Sequence, residues 1–288
     1  MKSDIIITKA SGQSERFSIK KLRESLMHSG AKNEQIDAIT AEITNNLYTG
    51  ISTKKIYEMA YKLLQDSSRP LAARYNLKRA IMELGPSGFP FESYVGEILR
   101  YQGYKTKVGE FVQGRCVQHE VDVIAFINQL QLMIECKYHN LPGTICDVKI
   151  PLYIHSRFKD VEAQWLKSSP KSAISYQGWV VTNTRFSDDA IQYGICAGLK
   201  LIGWDYPDKG NLKNMIDTSG LYPITCLTTL TKREKKMLLE KMVVLCRELN
   251  NENKLLLEEM RISPARIETI MQEAKQLCSY LNGNVKVQ

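Results

Sequence analysis

His119–His139, HEVDVIAFINQLQLMIECKYH, decides how the chain is read. It is rich in Val, Ile and Leu and bounded by polar residues, the pattern of two strands around a short turn. Asp122 interrupts the apolar run of the first strand. In the second, Glu135 and Lys137 alternate with Cys136 and so share one face. A turn centred on Asn128-Gln129 sets Asp122 directly opposite Glu135, with Cβ atoms about 5 Å apart. A four-residue loop with the same centre keeps that pairing, whereas an odd-length loop or a bulge shifts it by one. Two carboxylates facing each other repel, and burying them uncompensated costs several kcal/mol. A hard divalent cation resolves the conflict, because Mg²⁺ is often held by one or two carboxylates plus a substrate phosphate. Lys137 beside it can orient an attacking water or neutralise a phosphate.

The order Asp122, then a dozen residues, then Glu135-x-Lys137 resembles the PD-(D/E)xK nuclease superfamily. Phe91-Glu92-x-x-Val95, Gly103-Tyr104, His119-Glu120-Val121-Asp122-Val123 and Ile134-Glu135-Cys136-Lys137 together resemble its Mrr-like restriction endonucleases. One departure is Glu120-Val121-Asp122 in place of the family's Gly-x-x-Asp or Pro-Asp. The resemblance implies a DNA endonuclease that hydrolyses phosphodiester bonds with Mg²⁺ or Mn²⁺ bound by Asp122 and Glu135. It also implies that a helix brings a Glu beside the metal, here Glu92 or alternatively Glu97. Val181-Thr182-Asn183-x-x-Phe186-Ser187-x-x-Ala190 fits the same family, and Gln164 is its candidate for a further polar residue at the site. Arg157 and Lys159 are placed either on DNA phosphates or on a solvated helix face.

The 288 residues allow two or three domains, and 43% hydrophobic with 24% charged residues is ordinary for a globular chain. A net charge of +8 favours a polyanionic partner. The seven cysteines contain no C-x-x-C pair, which argues against a zinc site or disulfide framework and for buried, reduced thiols in a cytoplasmic protein. The first residues, MKSDIIITKASG, hold too short an apolar core for a signal peptide, and no apolar run reaches the ~18 residues of a membrane span.

Residues 1–86 read as two short strands, Ile5–Thr8 and Glu15–Phe17, then a Ser18-capped helix and helices over 33–48, 52–66 and 69–84, ended by Gly85-Pro86. The residues Ile7-Thr8-Lys9-x-x-Gly12, Glu15-Arg16, Lys21-Leu22, Gly50-Ile51-x-Thr53 and Leu71-Ala72-Ala73-Arg74 resemble the ATP-cone, a regulatory nucleotide-binding domain. By that resemblance Lys9 and Lys21 contact the phosphates of ATP or dATP, Glu15 and Thr53 line the nucleotide, and Lys78 and Arg79 can reach the phosphates. Ser11 replaces the Asp of the family's usual Lys-x-Asp-Gly turn. The chain lacks a Walker A loop, so binding without hydrolysis is expected.

The expected fold class is therefore mixed α/β in three parts. These are a mostly helical ATP-cone at 1–86, a restriction-endonuclease-like mixed sheet flanked by helices at 87–210, and a helical region at 211–288. In the middle part, helices are expected over Phe91–Gln102, Asp147–Trp165 and from Ser187, with strands at Gly178–Asn183 and Leu199–Trp204. In the last part, Leu227–Glu248, Glu252–Met260 and Ser263–Leu281 are expected to be helical. Lys232, Arg233, Lys235, Lys236 and Lys241 cluster there and either steer DNA phosphates or solubilise a helix. That region can equally be a dimerisation bundle, and a homo-oligomer is expected. Two alternatives remain: a non-catalytic nucleotide-sensing DNA-binding regulator, and a structure-specific nuclease such as a junction resolvase.

Overall fold

A computed structural model describes residues 5–9, 12–168 and 173–279; Ser11 and the end of the expected last helix lie outside the described residues. The N-terminal part opens with an antiparallel pair, β1 (Ile6–Thr8) and β2 (Ser14–Arg16). Helices α1 (Ile19–His28), α2 (Asn33–Asn45) and α3 (Thr53–Ser67) follow. The Ser18 side chain accepts from the Lys21 amide and Ser52 from the Lys55 amide, so both helices start at hydroxyl caps. Their apolar stripes, Leu22 with Leu26, Ile36 with Ile39 and Ile43, and Ile56 with Ala60 and Leu64, close one core. The single helix expected over 69–84 is instead α4 (Arg69–Tyr75) and α5 (Leu77–Met82). They part at Asn76, a weak helix former whose side chain accepts a 2.6 Å hydrogen bond from the Tyr57 hydroxyl.

The central part begins with α6 (Phe89–Tyr101), carrying Pro90 in its first turn, where a missing amide hydrogen does no harm. Three antiparallel strands come next, β3 (Lys105–Gln113), β4 (Gln118–Ile127) and β5 (Leu130–Lys137). The short β6 (Ile145–Cys146) leads into the long helix α7 (Lys149–Ser168), which tolerates Pro151 in its first turn. After it come β7 (Ser175–Thr182), β8 (Arg185–Phe186), α8 (Asp188–Cys196, capped by Ser187), β9 (Lys200–Ile202) and α9 (Leu212–Ser219). The sheet order is β3-β4-β5-β7-β9, antiparallel up to β5 and parallel beyond it, so the sheet is mixed. Met133, Val180 and Leu201 pack against Ile154, Phe158 and Val161 of α7, while α6 packs along β3 and β4.

The C-terminal part corrects one expectation. Leu227–Glu248 is not one helix: α10 spans only Lys232–Glu240, and a single 3-10 turn covers Cys246–Glu248. Thr231 and Glu234 form reciprocal caps, Glu234 N–H to the Thr231 hydroxyl and Thr231 N–H to the Glu234 carboxylate, which fixes the start. Met242 takes the left-handed φ of 63°, which ends helical hydrogen bonding, and Leu245 then pairs with Pro223. Helices α11 (Lys254–Glu259) and α12 (Pro264–Ser279) complete the described chain. No described helix is long and apolar enough to cross a membrane.

The described parts of Met1–Ala80, Ile224–Leu238 and Cys246–Gln288 make one compact unit; Ile81–Pro223 with Leu239–Leu245 make the other. In the first unit, α12 packs on α4 and carries Glu273, which is 3% exposed. Its carboxylate accepts four hydrogen bonds, from the amides and hydroxyls of Thr228 and Thr229, at 2.6–2.9 Å. Glu273→Ala leaves those donors buried and unsatisfied, and we expect a loss of about 3 kcal/mol, read as a lower urea midpoint at unchanged m-value. An unchanged midpoint would show that water replaces the carboxylate.

Candidate functional site: a carboxylate and ammonium cluster on the central sheet

The β4–β5 hairpin turns at Asn128-Gln129, with Asn128 in the left-handed region at φ 49°. Asn tolerates that conformation better than most residues, and a two-residue turn fixes the register. Ile127 pairs with Leu130 and Val123 with Ile134, so the next opposed positions are Asp122 and Glu135. On the other side of β4, the pairs Val108–Val123 and Glu110–Val121 bracket Gly109, which stands opposite Asp122 with φ +68°. A glycine is needed there for the backbone, and it leaves the flank of Asp122 without a side chain.

Glu135 is the centre of the cluster. Its Oε1 accepts from Lys137 Nζ at 2.6 Å and its Oε2 from Arg157 Nη1 at 2.6 Å, with only 6% of the Glu135 side chain exposed. Arg157 also donates to the Glu120 carbonyl oxygen. Asp122 Oδ2 accepts the Cys136 amide at 2.7 Å, which pins it against β5. Burial, followed by the Glu135 charge, pushes the Asp122 carboxyl up to about 6. Glu92, in the first turn of α6, is pushed up to about 7 by burial and then by Asp122, Glu120 and Glu135. Burial opposes the charge on Lys137, but the hydrogen bond and charge of Glu135 outweigh it and raise its pKa.

The structure thus brings Asp122, Glu135, Lys137 and Glu92 together. Glu120 also acts on Glu92, so four carboxyl groups lie near the two cations Lys137 and Arg157. Among the described residues no group of three or more His, Cys, Asp and Glu side chains forms a ready-made metal cage. Two carboxylates with water and phosphate oxygens satisfy Mg²⁺, so the donor set of Asp122 and Glu135 fits this ion. Glu97 lies outside the cluster and pairs with Arg100 on its own helix. Lys159 pairs with Glu162 at 2.7 Å, and Gln164 lies two turns beyond Arg157 on α7.

The sequence puts Arg157 on DNA phosphates or in solvent; the structure turns it onto Glu135. The available signal was its position among Ile154, Phe158 and Val161, at the border of the buried stripe of α7. A second tie was not foreseen. Asp160, one turn on, accepts from His119 Nε2 at 2.8 Å and from the amides of Cys116 and Val117, and its carboxyl is held down at about 2 by His119 first. It fastens α7 to the β3–β4 loop.

The N-terminal candidates also converge. The amides of Thr8 and Gly50 exchange bonds with Ile51 and Ile6, which sets Thr53 beside β1. Glu15 accepts from Lys9 Nζ at 2.8 Å and lies 3.5 Å from Lys21 Nζ; the Lys9 hydrogen bond lowers its pKa. Glu15, Lys21, Thr53, Tyr57 and Tyr75 line a cavity of ≈ 170 Å³. Arg79 is near enough to Tyr57 for its charge to act on the phenol.

Residues 5–82 match the family described as ATP cone domain, and residues 222–278 match AF1548-like, C-terminal. The crystal structure of AF1548, a protein of unknown function, is 34% identical, with a TM-score of 0.55 over 67% of this chain and 99% of that one. The chain belongs to the AF1548-like family. An uncharacterized protein of Archaeoglobus fulgidus is 35% identical over 187 residues, 64% of this chain and 99% of its own length. The MspJI restriction endonuclease in complex with a 27-mer oligonucleotide has a TM-score of 0.33 at 13% identity, over 68% of this chain and 39% of that one. This AF1548-like protein therefore carries an ATP-cone at its N-terminus and a mixed α/β architecture with a helical C-terminus.

The raised Glu92 pKa has a measurable sign. The folded state holds this proton more tightly than the unfolded chain, whose ordinary value is 4.5. Stability from Glu92 is thus full below 4.5 and is lost as pH rises through about 7. In protein stripped with EDTA, the urea midpoint of the wild type should fall relative to that of Glu92→Gln across this window. A difference independent of pH would contradict the cluster.

Proposed function

We infer that this chain is a metal-dependent nuclease of the Mrr-like type, hydrolysing DNA phosphodiester bonds under the control of ATP or dATP bound to its ATP-cone. One observation carries the reading: Asp122 bound 2.7 Å from the Cys136 amide, between Glu135 and Lys137 in sequence, with the Lys137 ammonium 2.6 Å from Glu135. In this reading Asp122 and Glu135 would hold Mg²⁺ or Mn²⁺, which would supply Lewis-acid activation of water and charge neutralisation at the phosphate. Lys137, on the same face, orients the attacking water. Its raised pKa keeps it an ammonium at neutral pH, so it acts by position and charge rather than as a base. Glu92 stands at the rim as a carboxyl that releases its proton near neutrality, suited to accepting one from water or supporting the metal. Arg157 holds Glu135 in place from α7.

The reading extends to 87–210 as the nuclease domain, 1–86 as the regulatory one and 211–288 as a DNA-binding or oligomerisation region. In the cone, Lys9 and Lys21 share the Glu15 carboxylate, and a triphosphate offers them a stronger anion. Thr53, which lines the cavity, and Arg79, whose charge reaches the cavity's Tyr57, are further candidates for the nucleotide.

With Mg²⁺ or Mn²⁺ present, the purified protein should nick or cut plasmid DNA. Asp122→Asn and Lys137→Ala should each lower the rate by ~100-fold or more, with unchanged circular dichroism. Cleavage surviving both substitutions sinks the nuclease assignment. Separately, Lys9→Ala or Lys21→Ala should weaken calorimetric ATP or dATP binding about tenfold, the size of one charge-assisted hydrogen bond. Affinity indifferent to both changes would place the nucleotide elsewhere.

A further inference from the structure

Helix α7 buries three of its larger side chains, Ile154, Phe158 and Val161, and its Trp165 packs on Tyr176 at 5.2 Å between ring centroids. Tyr153 behaves differently. It is 60% exposed, although it lies on the same helix and next to the buried Ile154. Its ring is held by a cation, with the Arg157 guanidinium carbon 5.5 Å from the ring centroid. Arg157 sits one turn later, at the spacing that stacks side chains on a helix face. The same guanidinium bonds Glu135 at 2.6 Å and the Glu120 carbonyl. The phenol ring is therefore tethered, through one side chain, to the carboxylate at the centre of the candidate site.

This arrangement gives a flat apolar surface with a defined position. Arg157 lies over the ring while the residue as a whole stays largely open to solvent. A partly exposed aromatic ring costs rotational freedom to immobilise and returns nothing to the core, since Phe158 already fills the space against the sheet. Lys149 lies one turn before it on the helix, and Lys137 and Arg157 stand among the carboxylates of the cluster, so cations that can meet a backbone phosphate are close by. A base stacked on a ring beside cations that meet the backbone is how proteins hold unpaired nucleotides. In a continuous duplex the bases are stacked on one another and offer no free face to such a ring.

We propose that Tyr153 is a stacking platform for an unpaired base of the strand whose phosphate lies at the Asp122–Glu135–Lys137 cluster, so that the substrate is a single-stranded or locally opened nucleic acid. This rests on the nuclease reading above and narrows it to a substrate class. Tyr153 is a binding residue here, acting through its ring face and not through its hydroxyl.

The test measures binding, with Ca²⁺ replacing Mg²⁺ so that strands stay intact. The probes are a labelled single-stranded oligonucleotide, the matching blunt duplex and a single strand containing 2-aminopurine, whose fluorescence is quenched on stacking. The wild type should bind the single strand more tightly than the duplex and quench 2-aminopurine. Tyr153→Ala should weaken single-strand binding about tenfold and abolish the quench, while Tyr153→Phe keeps both, because it keeps the ring. Three results overturn the platform: Tyr153→Ala binding as the wild type does, Tyr153→Phe failing as Tyr153→Ala does, or duplex bound as tightly as single strand. Any of these, with metal-dependent cleavage still lost in Lys137→Ala, leaves the nuclease reading standing. Absence of binding to every probe, together with absence of cleavage, removes both.

Discussion

Glu135 is held between two cations. Lys137 comes from its own strand and Arg157 from α7, each at 2.6 Å from a different carboxylate oxygen. A unit charge pair at about 4 Å is worth roughly 4 kcal/mol at an effective dielectric constant of about 20, so two close pairs can offset the burial of this carboxylate. Arg157 is the more deeply buried of the two partners, so its loss would cost the fold more than loss of the partly exposed Lys137, and either loss leaves Glu135 one cation. Arg157 reaches Glu135 only because α7 is fastened down, by Phe158 and Val161 in the core and by Asp160 at the β3–β4 loop.

The same constraint explains the electrostatics of the neighbours. Both oxygens of Glu135 are engaged by cations, and Asp122 and Glu92 lie within reach of its charge. Asp122 is restrained by the Cys136 amide and cannot turn away, and burial with Glu135 raises its pKa to about 6. Glu92 comes from another element and answers chiefly to burial. Backbone register and the Cys136 amide thus hold acidic groups near one another in a partly buried place, which is where carboxyl pKa values rise. At Gly109 the strand beside Asp122 presents no side chain.

In the ATP-cone the arrangement is inverted: one carboxylate, Glu15, serves two lysines. The cations outnumber the carboxylate there. The two candidate sites lie in separate compact units, and each is built from groups of its own unit. The C-terminal segment shows how local chemistry can overrule periodicity. Thr231 with Glu234, and Met242 in a left-handed conformation, cut a helix-like stretch into a shorter helix and turns.

Much of this was legible in the residues. The alternation of Glu135, Cys136 and Lys137, and the turn at Asn128-Gln129, determined the register that opposes Asp122 to Glu135, because strand periodicity and a two-residue turn are local properties. The hydroxyl caps at Ser18, Ser52 and Ser187 marked helix starts for the same reason, and the ATP-cone was visible in its spaced residues. What spacing could not supply was anything that depends on how distant segments meet. Arg157 lies 22 residues from Glu135, and Asp160 lies 41 from His119. Whether an arginine on the edge of an apolar stripe faces water or a carboxylate is decided by the angle at which its helix crosses the sheet. That angle comes from side-chain packing over the whole unit, so only the tertiary structure could assign Arg157 to Glu135 and leave Tyr153 facing outward.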